Sequence, residues 1–444
     1  MATAAPPLTG LPAGPSEHPL AQTIAWVRRP LQVLEECQRK HGDPFTLRLA
    51  GMPPMVMLAD PEAVREVFTG DPEVLRSGEA NSLLSAAFGP GSLLVIDGAE
   101  HLRERKLMLP PFHGERMRRY GDLIAGVAER RIAPWPVDTP FPVAPTMRAI
   151  ALEVIMRAVF GVEEPERLAR LEVALGRLLG SITKPYRVLA LLLLEPNGPT
   201  VAAWRRHAPT MKAVDGLLLD EIGGRRNDPA LSEREDILSL LLQTRDEDGR
   251  PMRDDQLRDE LMTLLVAGHE TTAAALAWAL ERLARHPASF ERLRAEAVED
   301  GDDYADAVAK ETLRVRTVIA FAIRHLARPL RVGGRDLPAG VRVATCAHLV
   351  HRRPDLYPEP EAFRPERFLD RPATTYGWIP FGGGTRRCLG GAFALFEMKT
   401  VLRSVARAGL IRPAEVEDEE VARRGLALVP AKGGRILWLP TPVG

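Results

Sequence analysis

At 444 residues the chain can fill one large domain or two to three average ones, and its 45% apolar content is that of a globular protein. Its 59 Lys and Arg residues balance 59 Asp and Glu residues, so no global charge favours nucleic acid as a partner. Three widely spaced cysteines, Cys37, Cys346 and Cys388, exclude a disulfide framework and fit a reducing, cytoplasmic setting. From the N-terminus, residues 1–20 carry five prolines and no basic region followed by an apolar core. They read as an extended leader, not a secretory signal. No linker divides residues 21–444, which are expected to form a single domain. Phe45–Leu49 and Met55–Leu58 predict a short hairpin, and Asp60-Pro61 opens a helix because Pro suits the first turn. From about 98 to 320 the pattern is almost wholly helical. Arg331–Val343 and Gly425–Pro440 carry strand and turn signals. The fold class is therefore mostly α within α+β, a large helical part beside a small β-rich region. No stretch reaches the ~18–20 apolar residues of a membrane span; Val188–Leu194 is too short.

Arg253–Arg285 is the longest helical segment. Leu261–Ala267 is apolar nearly all round, as in a helix crossing a protein interior. The pattern then breaks at Gly268-His-Glu-Thr-Thr272. Glycine weakens a buried helix by ~1 kcal/mol, Glu270 needs a partner there, and threonines can bond back to carbonyls and bend the axis. A polar, kinked notch in a buried helix is expected, and it is a functional candidate.

The ten residues Phe381–Gly390, FGGGTRRCLG, place Cys388 after a glycine-rich loop and before an apolar helical segment, Leu389–Val405. A lone thiol without a CxxC partner argues against zinc or a redox pair. A helix N-terminus favours thiolate over thiol. Glycines 382, 383 and 384 are expected to let the backbone approach a large flat ligand, and Arg386 to reach a carboxylate. A thiolate beneath a planar, anionic ligand is what axial ligation of haem iron requires.

This segment fills every position of FxxGxRxCxG and resembles the signature of the cytochrome P-450 family, the bacterial-type soluble haem-thiolate monooxygenases. Three further motifs extend the resemblance, which runs from about residue 40 to the C-terminus. AGHETT (Ala267–Thr272) is similar to the family's distal-helix motif, which implies proton delivery by Glu270 and Thr271, with Ala267 and Gly268 against the cofactor. Glu311 and Arg314 in KETLR, with Arg367 in PERF, are similar to the ExxR motif and its third member, implying a structural triad beside the cysteine loop. His101 and Arg105 share a helical face and resemble the propionate-binding HxxxR; Arg324 and Arg386 complete that set. By the same resemblance Phe381, Gly382, Cys388 and Gly390 contact the cofactor, and Cys388 is the iron ligand. Arg316 and Thr317 depart from the proline that many relatives carry after ExxR, at the turn into Val318–Ala322.

The resemblance implies the triangular-prism fold, haem b (iron protoporphyrin IX) and insertion of one oxygen atom from O2. The chain ends soon after the cysteine region without a GxGxxG reductase, so electrons from NAD(P)H are expected through a ferredoxin and ferredoxin reductase. Arg103, Lys106, Arg118, Arg119 and Arg387 are candidates for that docking patch. A monomer with no membrane span is expected. The pocket segments (Leu83–Leu94, Leu178–Leu194, Met262–Ala267, Val318–Phe321, Leu426–Val429) are apolar, which predicts a hydrophobic substrate: a fatty acid, terpenoid, steroid or polyketide-like molecule. Met262, Val266, Val318, Ile319 and Leu428 are the lining residues expected; Lys184 and Arg187 could anchor a carboxylate. Two other readings stay open: haem-thiolate chemistry other than hydroxylation (peroxygenase, dehydratase or isomerase), and a non-catalytic haem sensor.

Overall fold

The computed structural model describes residues 10–112, 116–161 and 208–441, with single positions between 166 and 176. The hairpin expected at 45–58 forms: strand Phe45–Leu47 runs antiparallel to Met55–Leu58, with Thr46 opposite Val56. The helix after it starts at Pro61, capped by the Asp60 carboxylate, which accepts from the Glu62 and Ala63 N–H groups. In the leader, Pro12 and Ala13 dock on the hairpin through Thr46, and a helix already begins at Pro19.

The sheet is completed by distant sequence. Arg342–Thr345 lies parallel to Met55–Leu58, Ala322–Leu326 pairs with it antiparallel, and Leu75–Arg76 closes the far edge. Ala322–Leu326 carries no clean apolar alternation because Arg324 and His325 interrupt it; its two neighbours make it a strand. A three-stranded sheet joins Phe141–Pro142, Arg435–Pro440 and Gly409–Pro413, and a hairpin joins Val421–Arg424 to Ala427–Pro430. The C-terminal β region thus starts at 409, earlier than the strand signals suggest.

The helical bulk surrounds one helix, Asp254–Arg285, which is buried along most of its length. Its 32 residues span roughly 48 Å at 1.5 Å per residue. Asp254 and Asp255 in its first turn and Arg282 and Arg285 in its last oppose the helix dipole favourably. It runs unbroken through 267–272, so the polar segment does not interrupt it. Helices Ala144–Phe160, Pro287–Val298, Asp303–Val315 and Gly391–Ala408 pack around it to form the larger apolar core. A second core lies between the five-stranded sheet and the N-terminal helices. Among the described residues no helix is long and apolar enough to cross a membrane.

Candidate active site

The loop carrying Cys388 touches Phe68 of the second core, while its Phe381 and Leu389 pack against the first. The Cys388 N–H donates to the Phe381 carbonyl at 2.8 Å, which closes the loop, and the helix that follows begins at Gly391 with Gly390 as its cap. The three cysteines differ sharply. Cys37 and Cys346 are buried, and burial pushes their thiols up to about 11 and about 12, while Cys388 retains accessible surface. Enclosure by protein also raises the Cys388 thiol; the Gly390 N–H and the charges of Arg105 and Arg387 pull the other way. The helix-terminus effect expected from the sequence is therefore present, but desolvation outweighs it.

Two of the loop glycines have a packing role that the sequence did not show. Gly384 has φ +63°, and a Cβ there would fall on the Phe68 carbonyl oxygen; a Cβ on Gly383 would fall on the Phe68 ring. Both are needed so that the loop can sit on the helix Pro61–Thr69. Gly382, also at φ +63°, and Gly390 have open space where a side chain would be. Phe381 packs over Gly391 and meets Trp378 edge-on, with ring centres 5.9 Å apart.

Above the loop, four predicted residues converge from three segments. His101 is buried on helix Gly98–Met108, with Arg105 one turn on; Arg324 comes from the sheet and Arg386 from the cysteine loop. Burial and the charges of Arg386, Arg105 and Arg324 push His101 down to about 3, so it is neutral. Desolvation moves Arg324 and Arg386 down to about 10, helped by Arg386 on the first and Arg105 on the second and opposed by Asp97. Arg386 is the least free of them: it donates to Leu93 O at 3.0 Å, Ile96 O at 2.6 Å and Asp97 Oδ1 at 2.5 Å. Arg324 donates only to Ser77 Oγ and its neighbour's carbonyl, and Arg105 has no carboxylate partner among the described residues. Among the described residues Asp97 is thus the one carboxylate paired with these three guanidinium groups, through Arg386, which leaves two positive charges unbalanced in a desolvated place.

Asp97 was not among the sequence candidates, because before a helix start it reads as a cap. It does cap another helix, accepting from the Gly78 and Glu79 N–H groups. Its loop is held at the other end by the central helix: Asp259 accepts from Gly91 N–H, Glu260 from Leu93 N–H, and Thr263 bonds Ser92. Three polar residues on a buried helix were the available signal.

On the central helix, Val266, Gly268 and Thr271 are half-buried and Ala267 is exposed between turns that are sealed, so this face borders an opening. The Thr271 hydroxyl donates to Ala267 O at 2.6 Å. Gly268 does not open that face: its missing side chain points at Ile155, whose Cδ1 would lie 3.3 Å from a Cβ. Glu270 lies about 100° round the helix from Thr271 and contacts Arg424 at 2.9 Å instead. The structure does not bring the acid and the alcohol together by a hydrogen bond. His269 is buried and neutral, pushed down to about 4.

Of the expected pocket residues, Val266 and Ile319 are half-buried. Met262 is fully buried and sits about 180° from Thr271 on the helix, so it belongs to the core. Val318 and Leu428 are nearly sealed because a backbone bond, Leu428 N–H to Val318 O at 2.8 Å, clamps their segments together. Leu178–Leu194, with Lys184 and Arg187, lies outside the described residues, as do the side chains of Arg118 and Arg119. Arg103 pairs with Glu104 and Lys106 with Glu247; Arg387 is exposed.

Behind the cysteine helix, Glu311 and Arg314 are fully buried and joined by two bonds of 2.7 and 2.8 Å. Arg314 also donates to the carbonyls of His351, Pro360 and Ala362, and Arg367 stands 3.4 Å from Glu311. Buried His351 accepts from Ile379 N–H, tying this cluster to the segment entering the cysteine loop. Thr317, after the ExxR pair, bonds Arg314 O and meets the ring of His351.

The sequence model of the Cytochrome P450 family matches residues 12–436. A Mycobacterium tuberculosis protein named cytochrome P450 135B1 is 44% identical over 433 residues, covering 96% of this chain and 91% of that one. The M. tuberculosis cytochrome P450 138 is 39% identical, covering 98% of each. The solved structure of a retinoic acid-bound cyanobacterial protein, CYP120A1, superposes with a TM-score of 0.84 over 97% of this chain and 100% of its own, at 24% identity. The chain belongs to the cytochrome P450 family. Its fold is the P450 fold, and the family is one of haem-thiolate monooxygenases using O2, small-molecule substrates and redox partners.

The residues of this P450 fit the haem. Among the described residues no cluster of three or more His, Cys, Asp or Glu groups forms a metal site. A single thiol can hold only a metal whose other donors come from elsewhere, as a porphyrin's do. The two unbalanced guanidinium charges near His101 match the two propionates of that macrocycle.

Proposed function

We propose that this P450 inserts one atom of O2 into a hydrophobic small molecule (a fatty acid, terpenoid, steroid or polyketide-like compound), with Cys388 as the axial iron ligand. The observation that carries the residue assignment is the convergence of Arg105, Arg324, Arg386 and His101 beside Cys388 with, among the described residues, only Asp97 to balance them. His101, Arg105 and Arg324 bind the anionic edge of the cofactor; Arg386 joins them while holding the loop 93–97. Bound haem b supplies the oxygen chemistry. Thr271 Oγ1 holds a proton at the open face of the central helix, and Glu270, whose Oε2 has no hydrogen-bond partner, exchanges protons on the adjoining face. Val266, Ala267 and Ile319 border the substrate space, and their apolar character supports the substrate class. Glu311, Arg314 and Arg367 fix the wall behind the cysteine loop. Arg103, Lys106 and Arg387 form the side on which a ferredoxin delivers electrons originating from NAD(P)H.

The test is the absorption spectrum of the dithionite-reduced protein under carbon monoxide. A strongly red-shifted Soret band, lost in Cys388→Ala, is expected. No Soret band in folded, haem-supplemented protein would overturn the assignment.

A further inference from the structure

The face of the central helix that carries Glu270 opens on a cleft of about 600 Å³. Its walls are the first turns of helix Ala144–Phe160, the central helix from Glu270 to Ala277, and the hairpin containing Val421–Arg424 and Ala427–Pro430. Five ionisable residues border it: Arg148, Glu270, Arg423, Arg424 and Lys432. Lys432 is committed to Glu415 outside. Glu270 faces Arg424, but the pair is poorly satisfied: Arg424 Nε lies 2.9 Å from the carboxylate without hydrogen-bond alignment, and Glu270 Oε2, on a side chain only 8% exposed, has no partner. Arg148 has no carboxylate partner among the described residues. Arg423, next to Arg424 on its strand, turns to the opposite face, over the Trp26 ring at 5.6 Å, and so takes no part in the cleft's charge. Two guanidinium groups, those of Arg148 and Arg424, therefore face one carboxylate. The remaining wall is apolar and small: Ala273, Ala274, Ala277, Val429, Pro145 and Pro430. Repulsion and burial make the unfilled arrangement unfavourable, and Arg148 is held below the usual arginine range by desolvation and by Arg424.

We propose that this cleft binds a small amphipathic anion, an apolar body bearing a carboxylate, whose head group is held by Arg148 and competes with Glu270 for Arg424. The volume is that of a small-molecule site, and guanidinium groups are suited to carboxylates. Thr271 lies about 100° round the helix from Glu270, so the anion acts as a second ligand beside the substrate proposed on that other face. By drawing Arg424 away it frees the Glu270 carboxylate. This consequence rests on the role proposed for Glu270 above; the binding site does not.

The experiment is calorimetric titration of the haem-loaded protein with sodium octanoate, repeated with a saturating iron-ligating azole to block the substrate space. Octan-1-ol is the uncharged control. Binding of one octanoate is expected to persist with the azole present and to weaken about tenfold or more in Arg148→Gln, the range of one hydrogen bond to a charged group. Arg148→Lys should recover part of it. In Glu270→Gln binding should tighten, because the competitor for Arg424 is gone; damage to the fold would change it in the opposite direction. No heat in the presence of azole, equal binding of octanol, or unchanged affinity in Arg148→Gln would overturn the proposal. The titration is read separately from the carbon monoxide spectrum, so either can fail alone.

Discussion

Arg314 shows how much one side chain can organise. Its guanidinium meets both oxygens of Glu311 and three backbone carbonyls, with no solvent contact and Tyr357 beneath it, 4.9 Å from the ring centre. A buried ion pair is weak evidence for stability, yet breaking one partner strands a charge. Arg314→Ala is expected to cost about 3–5 kcal/mol, read as a lowered urea midpoint. Arg314→Lys should fail to rescue it, because a single ammonium cannot reproduce the planar fork. A loss in Arg314→Ala below about 1 kcal/mol, the range of an exposed pair, would refute this. The motif was visible in the sequence, since Glu311 and Arg314 stand three apart among apolar neighbours. The three carbonyls were not visible, because they come from residues 37 to 48 positions further on.

Among the elements, the cysteine loop is defined by what it rests on. Gly382 and Gly384 share φ +63°, a conformation that costs an L-residue about 1–2 kcal/mol. They differ in surroundings: Gly382 faces open space and Gly384 faces the Phe68 backbone. Gly382→Ala should therefore pay only the conformational cost and keep the red-shifted carbon monoxide band. Gly384→Ala should displace the loop from helix Pro61–Thr69 and lose most of that band per mole of protein. Equal behaviour of the two variants would show that conformation alone matters here. Sequence reading placed the glycines correctly and assigned them to a ligand. It missed Phe68, more than 300 residues earlier, because nothing local marks that contact. The central helix gives the same lesson. Its polar segment was legible, but which face each residue took depended on Ile155 and Arg424, which lie on other elements.

At the scale of the molecule, carboxyl groups sealed inside the helical core make stability depend on pH. Glu397 on helix Gly391–Ala408 is 2% exposed, has an unpartnered oxygen, and is pushed by burial from 4.5 up to about 8. The folded state therefore holds its proton more tightly than the unfolded state. That contribution is complete below about pH 4.5 and is lost as pH rises toward about 8. Glu397→Gln has no proton to lose, so its stability relative to the parent should grow across that window by an amount of order a few kcal/mol. Denaturant titrations at the two ends of the window measure it; a constant difference would count against a buried neutral carboxyl. Composition, the hydrophobic periods and four short motifs by themselves determined the helical class, the family and Cys388 as the distinctive thiol. Those features are local, and the loop, the helix face and the ion pair each need only neighbouring residues to be recognised. Tertiary structure alone decided that Asp97 balances Arg386, that Met262 is core, that Glu270 turns to Arg424 and that a basic cleft lies behind it. Each of these depends on which distant segment arrives opposite a side chain, and burial and charge then set what that side chain can do.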